Sequence, residues 1–297
     1  MSQTFSTSLE SAILETLAYS DVFDYPLTLD ELYRYLPRLA DMEEIQDRMG
    51  GLPAVGTFDG YYYLLHRRSI VGIRREREAA SRSAFKRAIV YGRLLGVFPF
   101  VRMVALTGSL AVLNLSKDAD MDYLLITQPG RLWLARAFVV TFGRFMRLFG
   151  DRICVNLLVS ESALAWHSHD LYSAREMCQM IPITGMEVYF KLRQLNVWIK
   201  SFLPNAESFP VHTPVVKEVN SLFQKSIEFF FRGKIGDILE AWAMKFQTRK
   251  IARTYGTGPE ASFSVDLCQG NFHNHHSLTD QSFRERLDLL VERENRL

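Results

Sequence analysis

Val104-Ala105-Leu106-Thr107-Gly108-Ser109-Leu110-Ala111, followed after a polar spacer by Ala119-Asp120-Met121-Asp122-Tyr123-Leu124-Leu125-Ile126, decides the fold of this chain. Residues 104–107 read as a buried strand, Gly108 breaks it, and residues 109–113 resume with helical character. A glycine at such a junction lets backbone approach an anion with no Cβ in the way. The unpaired amides of the starting helix and the Ser109 hydroxyl then face the anion. Gly108 and Ser109 are therefore the candidate phosphate seat for a nucleotide.

The second half opens a strand over residues 122–126. Side chains two apart on a strand share a face, roughly 6.5 to 7 Å apart, so Asp120 and Asp122 are expected to aim their carboxylates the same way. That is a pair of hard oxygen ligands suited to Mg²⁺ or Mn²⁺, and two such ions about 4 Å apart can clamp the attacking and leaving oxygens of a phosphoryl displacement. Asp120 and Asp122 are the candidate catalytic and metal-binding residues. A second reading stays open, in which Asp118, Asp120 and Asp122 form a polar turn before a strand.

Together, Leu106-Thr107-Gly108-Ser109 and Ala119-Asp120-Met121-Asp122-Tyr123-Leu124-Leu125-Ile126 resemble the signature of the nucleotidyltransferase fold superfamily, the DNA polymerase beta-like enzymes. Their pattern is an apolar residue, Gly, Gly or Ser, about ten residues, then Asp-apolar-Asp-apolar. A narrower likeness, over most of residues 8–200, is to uncharacterised proteins that carry a winged-helix segment before this core. In many members of the superfamily a third carboxylate on the next core strand completes the metal site. Here that strand, residues 152–159, offers only Asn156 as a polar interior residue. An amide takes no proton and binds a cation without neutralising it. The departure leaves a two-carboxylate enzyme or a nucleotide-binding pseudo-enzyme, with Asn156 alternatively a buried amide satisfying backbone groups.

The chain has 297 residues, 48% hydrophobic and 23% charged, enough for a substantial core and about two domains. A net charge of +2 does not by itself argue for a nucleic-acid binder. Cys154, Cys178 and Cys268 are odd in number and form no CxxC, so neither a disulfide framework nor a zinc ribbon is indicated. The start is polar, without a secretory pattern, and a cytoplasmic location is expected. The most apolar long stretch, residues 132–149, is interrupted by Arg136, Arg144 and Arg147, so it reads as a buried amphipathic helix and no membrane span is expected.

Outward from the central motif, residues 9–19 have amphipathic spacing, and Thr28-Leu29-Asp30-Glu31 is a capping box for a second helix. A third helix is expected over residues 41–49. Two β-rich runs then flank Asp59-Gly60, a strong hairpin signal. Three helices and a hairpin resemble a winged helix, yet the third helix carries Asp41, Glu43, Glu44 and Asp47 against Arg48, a charge that phosphates repel. This favours packing or protein contact over DNA binding. An arginine-dense helix over residues 70–95 reads as a solvated face with internal ion pairs, or as a donor of one or two arginines to a triphosphate or RNA backbone.

The expected fold class is α+β: a nucleotidyltransferase-like mixed sheet with helices over residues 71–200, preceded by a winged-helix-like module over residues 1–70 and followed by a helical C-terminal region over residues 201–297. The expected activity is Mg²⁺-dependent (or Mn²⁺-dependent) transfer of a nucleoside monophosphate from a nucleoside triphosphate to a hydroxyl on a protein, an RNA or a small molecule. The alternative is a catalytically inactive nucleotide-binding or regulatory adaptor, DNA-associated through its N-terminal module. Cys268, His273, His275 and His276 form a further cluster of zinc-compatible residue types, although its spacing matches no standard site.

Overall fold

A computed structural model describes residues 8–116, 120–210, 212–216, 221–255, 260–270 and 274–294. Helix α1 (Leu9–Asp21) starts at Ser8, whose hydroxyl accepts from the Ser11 amide. Helix α2 (Leu29–Tyr35) has the full reciprocal capping box between Thr28 and Glu31. Helix α3 (Met42–Met49) follows, and strands β1 (Val55–Phe58) and β2 (Tyr61–Leu64) pair antiparallel. Asp59 and Gly60 both take positive φ, 54° and 78°, the tight-turn geometry that matches strand twist. Leu27 adds a single bridge to Tyr62.

Helix α4 (Ser69–Gly96) carries the chain from this unit to the sheet. The arginines of α4 work mostly as ties. Arg74 is buried and makes a two-pronged ion pair with Glu31, Nη1 to Oε2 at 2.6 Å and Nη2 to Oε1 at 2.8 Å. Its guanidinium also sits over the rings of Tyr25 and Tyr61. Arg87 holds Asp151 at 3.0 Å, and only Arg82, paired with Glu78, is the expected i,i+4 surface pair.

The remaining elements in chain order are β3 (Val101–Leu106), α5 (Gly108–Ala111), β4 (Met121–Thr127), α6 (Leu132–Arg147), β5 (Ile153–Ser160), α7 (Leu171–Gln179), β6 (Ile181–Thr184) and α8 (Met186–Leu195). After them come α9 (Leu222–Phe230), α10 (Gly233–Tyr255), β7 (Ala261–Phe263), β8 (Leu267–Gly270) and α11 (His275–Glu294). The main sheet has the order β6-β3-β4-β5-β8-β7. It is mixed: β4 and β5 run parallel, and every other neighbouring pair runs antiparallel.

Because strand side chains alternate, the two faces of the sheet feed two cores. Met103, Ala105, Leu124 and Ile126 point into one core with residues of α1, α7, α8 and α11. Val104, Leu106, Tyr123 and Leu125 point into the other, under α4, α6 and α10. Burying each of the valine, leucine, isoleucine and methionine side chains contributes about 1.5 to 3 kcal/mol, and the sheet is apolar on both faces for this reason. The first core runs without a break from the N-terminal helices to α11, so the chain on either side of residue 70 shares it.

The C-terminal region carries more than helices. β7 and β8 are too short, at three and four residues, to show a pattern of their own, and they become strands because the outer edge of β5 presents unpaired backbone groups. β6 carries no strand signal of its own in the sequence, since Pro182 interrupts its pattern. The edge of a sheet tolerates a proline, and β6 is an edge strand.

Candidate functional site

The end of β3 and the start of β4 lie side by side, and the Thr107 amide donates to the Asp122 carbonyl at 2.9 Å. Gly108 then turns with φ +64°. A Cβ on Gly108 would stand 2.6 Å from Asp122 Oδ2, so the Asp122 carboxylate occupies the space that the missing side chain leaves. Ser109 follows, half-buried, in α5, a helix of four residues that ends two residues before the helical stretch read from the sequence. Val112, which closes α5, accepts the Tyr25 hydroxyl at 3.1 Å, and the Asn114 amide donates to the Phe23 carbonyl at 3.2 Å. The N-terminal unit thus braces the back of the glycine turn.

Asp120 lies one residue before β4. Its Oδ1 is buried and has no hydrogen-bond partner; the guanidinium of Arg152 stands 3.9 Å away. Asp122 shares the parity of Leu124 and Ile126, so its carboxylate belongs to the sheet face that α7 covers. Between Asp122–Cys154 and Leu124–Leu157 the β4/β5 register shifts by one residue, a bulge in β5. Bulges re-aim side chains next to functional sites. Here the result is that Asn156 Nδ2 donates to Asp122 Oδ1 at 2.5 Å, while the Cys154 thiol donates to Asn156 Oδ1 at 2.8 Å. Asn156 is exposed rather than the interior or buried amide that the sequence suggests, because the bulge turns it outward, and its amide is held toward the aspartate.

A third carboxylate, on helix α7, influences the site through its charge. Glu176 of α7 is the strongest charged influence on Asp122, ahead of Asp120. Burial first, then the charges of Glu176 and Asp120, push the Asp122 carboxyl up to about 7, against the smaller opposing pull of the Asn156 amide and the Cys154 thiol. Burial pushes Glu176 up to about 7 as well. Cys154 is pushed up to about 12, by burial and then by the two aspartates, so it stays a thiol at neutral pH. Tyr172, one turn earlier on α7, has its phenol raised by burial and by the Glu176 charge, and stacks on His276 at 4.8 Å. No local pattern around Glu176 reveals its influence, because that depends on α7 covering this face of the sheet.

Among the described residues no group of three or more His, Cys, Asp or Glu side chains is already gathered in metal-holding geometry. The donors that fit a hard divalent cation are the orphaned Oδ1 of Asp120 and the crowded carboxylate of Asp122, both oxygens and both lacking a close cation other than Arg152. The Cys268 and histidine group does not converge. Cys268 is buried on the α6 and α10 face, whereas His276 lies on the α7 side, 3.6 Å from Asp170; His273 lies outside the described residues, as does Asp118. Among the described residues no helix is long and apolar enough to cross a membrane.

Comparison with protein families, with curated proteins and with solved structures finds no match. What the site can do follows from the geometry of Gly108, Asp120, Asp122 and Asn156.

Proposed function

We propose that this protein is a metal-dependent nucleotidyltransferase whose site is the junction of β3, α5 and β4. The observation that carries the reading is the direct contact of the two halves of the motif: the bend at Gly108 is shaped around Asp122 Oδ2. A glycine turn pressed against paired acids puts an anion seat beside a cation seat, the pairing a nucleoside triphosphate requires. Asp120 and Asp122 would hold Mg²⁺ or Mn²⁺, which when bound supplies positive charge to the phosphate oxygens and orients them for in-line displacement. Gly108 and Ser109 hold the distal phosphates. Glu176, when ionised, adds negative charge that Asn156 does not, and Asn156 fixes the rotamer of Asp122 through its amide.

In the reaction, an acceptor hydroxyl oxygen forms a bond to the α-phosphorus as the bond from that phosphorus to the α,β-bridging oxygen breaks. Pyrophosphate leaves with the electron pair, and the hydroxyl proton passes to solvent. Positioning and charge stabilisation carry the rate. The three helices and hairpin, with the Leu27–Tyr62 bridge as a third strand-like pairing, support a winged-helix-like reading of the first module. The exposed acidic face of α3 favours protein contact over DNA for it.

Calorimetry with ATP, CTP, GTP and UTP in Mg²⁺, followed by pyrophosphate release with pooled protein, RNA and small-molecule acceptors, tests the proposal. Binding that Asp122→Ala abolishes, together with pyrophosphate release, supports transfer. The engagement of Asp122 by Asn156 favours a second reading, a nucleotide-binding adaptor, and metal-dependent binding without release from any pool would select it. Binding unchanged in Asp120→Ala and Asp122→Ala would remove the site.

A further inference from the structure

The helices α9 and α10 are built inside out. Along α9, Gln224 and Glu228 turn inward: the Gln224 amide donates to the Phe98 and Val101 carbonyls, and Glu228 accepts from the Phe100 amide and from Arg102. The apolar residues face water instead, with Leu222 80%, Phe229 66% and Phe230 75% exposed. Along α10, Ala243 and Ile251 are buried toward α6, and Glu240 caps α6 through the amides of Trp133 and Leu134. Its opposite side presents Ile235, Ile238, Trp242 and Phe246, each more than half exposed. A shallow groove continues this side, formed by Trp242, Lys245, Phe246, Arg249, Lys250 and Arg253.

Charge is sorted in the same way. Residues 221–255 contain three acids, Glu228, Asp237 and Glu240, and seven lysines and arginines. Every acid is engaged: Glu228 with Arg102, Asp237 with Arg131, and Glu240 on the α6 amides. Lys245, Arg249, Lys250 and Arg253 remain exposed beside the apolar ridge. An exposed apolar ridge of this length, rimmed by one sign of charge, marks an interaction surface.

We propose that this face docks on an anionic lipid bilayer, with the apolar ridge seated among the acyl chains near the headgroups and the basic residues against lipid phosphates. Charge complementarity selects the occupant. A second copy would bring two basic ridges together, which repel. A nucleic acid would satisfy the lysines and arginines but offers no apolar bed for Leu222, Ile235 and Ile238. Trp242 and Phe246 already stack on each other, 5.5 Å apart and 10° from parallel, so they are half committed as base-stacking platforms. An anionic membrane surface meets both the apolar and the basic half, the combination that holds amphipathic helices in an interface.

The test uses the full chain with vesicles of phosphatidylglycerol and phosphatidylcholine, or of phosphatidylcholine alone. Binding is expected to be at least about tenfold tighter to the anionic vesicles and to weaken as salt rises. Lys245→Glu with Arg249→Glu, and separately Ile238→Ser with Phe246→Ser, should each weaken it by about tenfold or more. All four side chains are exposed, and circular dichroism confirms that the variants fold. The intrinsic fluorescence should shift to the blue on binding, and Trp242→Phe should remove most of that shift while binding persists, because Trp133 is fully buried and Trp166 and Trp198 are half-buried against the other core. Equal or absent binding to the two vesicle types overturns the proposal. So does a dimer that the Ile238→Ser and Phe246→Ser variant dissolves, or binding to single-stranded RNA without binding to anionic vesicles.

Discussion

Replacing Asp122 by asparagine should make the metal-free protein more stable. In the folded chain the Asp122 carboxyl is raised from 3.8 to about 7 by burial and by Glu176 and Asp120. The unfolded chain gives up this proton near the lower value. Between the two the folded state holds more protons, so stability falls as pH rises from about 4 and the full penalty is present above about 7. Each tenfold in proton affinity is worth about 1.4 kcal/mol, which sets a ceiling of about 4 kcal/mol. Asp122 is only part-buried and shares its repulsion with Glu176, so about 2 kcal/mol is the expected gain on removing the charge. Asparagine keeps an acceptor for the Asn156 amide and closely matches the protonated acid in shape. For a chain of 297 residues that gain is a rise in Tm of about 3 °C at about pH 8, shrinking toward zero near pH 4. Scanning calorimetry of both proteins at the two pH values measures it. With Mn²⁺ added the order should reverse, since a ligand that binds only the folded wild type stabilises it alone. An asparagine variant that melts at or below the wild-type temperature at both pH values would refute electrostatic strain at this site.

Three further changes follow from the same contacts. Gly108→Ala places a Cβ against Asp122 Oδ2 at a left-handed φ, and should cost about 1 to 3 kcal/mol in urea unfolding and weaken metal binding. Asn156→Asp exchanges a donor for a third carboxylate, so it should lower the metal-free Tm and tighten Mn²⁺ binding about tenfold or more, as titration calorimetry would show. Glu31→Ala leaves the buried Arg74 without its carboxylate and should cost about 2 to 3 kcal/mol. Burial opposes the charge on Glu31, but the hydrogen bonds and charge of Arg74 hold its carboxyl below the usual range. This stability is present above the ordinary carboxylate range and should be lost as pH falls below about 4, a dependence that Glu31→Ala removes.

Much of the fold is written locally. The Thr28 and Glu31 capping box, the Asp59-Gly60 turn and the apolar runs of β3, β4 and β5 each carry their own signal, and each forms where its pattern predicts. The silent parts are those whose state is set by neighbours. Pro182 sits in a strand because β3 has a free edge, and Ala261–Phe263 is a strand because β5 has one. At the site, Gly108, Ser109, Asp120 and Asp122 are legible as a motif, and Asn156 as the anomaly on the next strand. Glu176 is not legible, because nothing near it in sequence says that α7 will lie over the aspartates. The bulge that turns Asn156 onto Asp122 is equally hidden, being a mismatch between two strands.

The central claim is that Asp120 and Asp122 grip a divalent cation beside the Gly108 turn. Diffraction at the manganese edge from crystals soaked with Mn²⁺ and a non-hydrolysable nucleoside triphosphate tests it most directly. The account predicts an anomalous peak about 2.1 Å from oxygens of both aspartates, with phosphate density against Gly108 and Ser109. An empty map at these carboxylates, with the nucleotide absent or bound elsewhere, would contradict it.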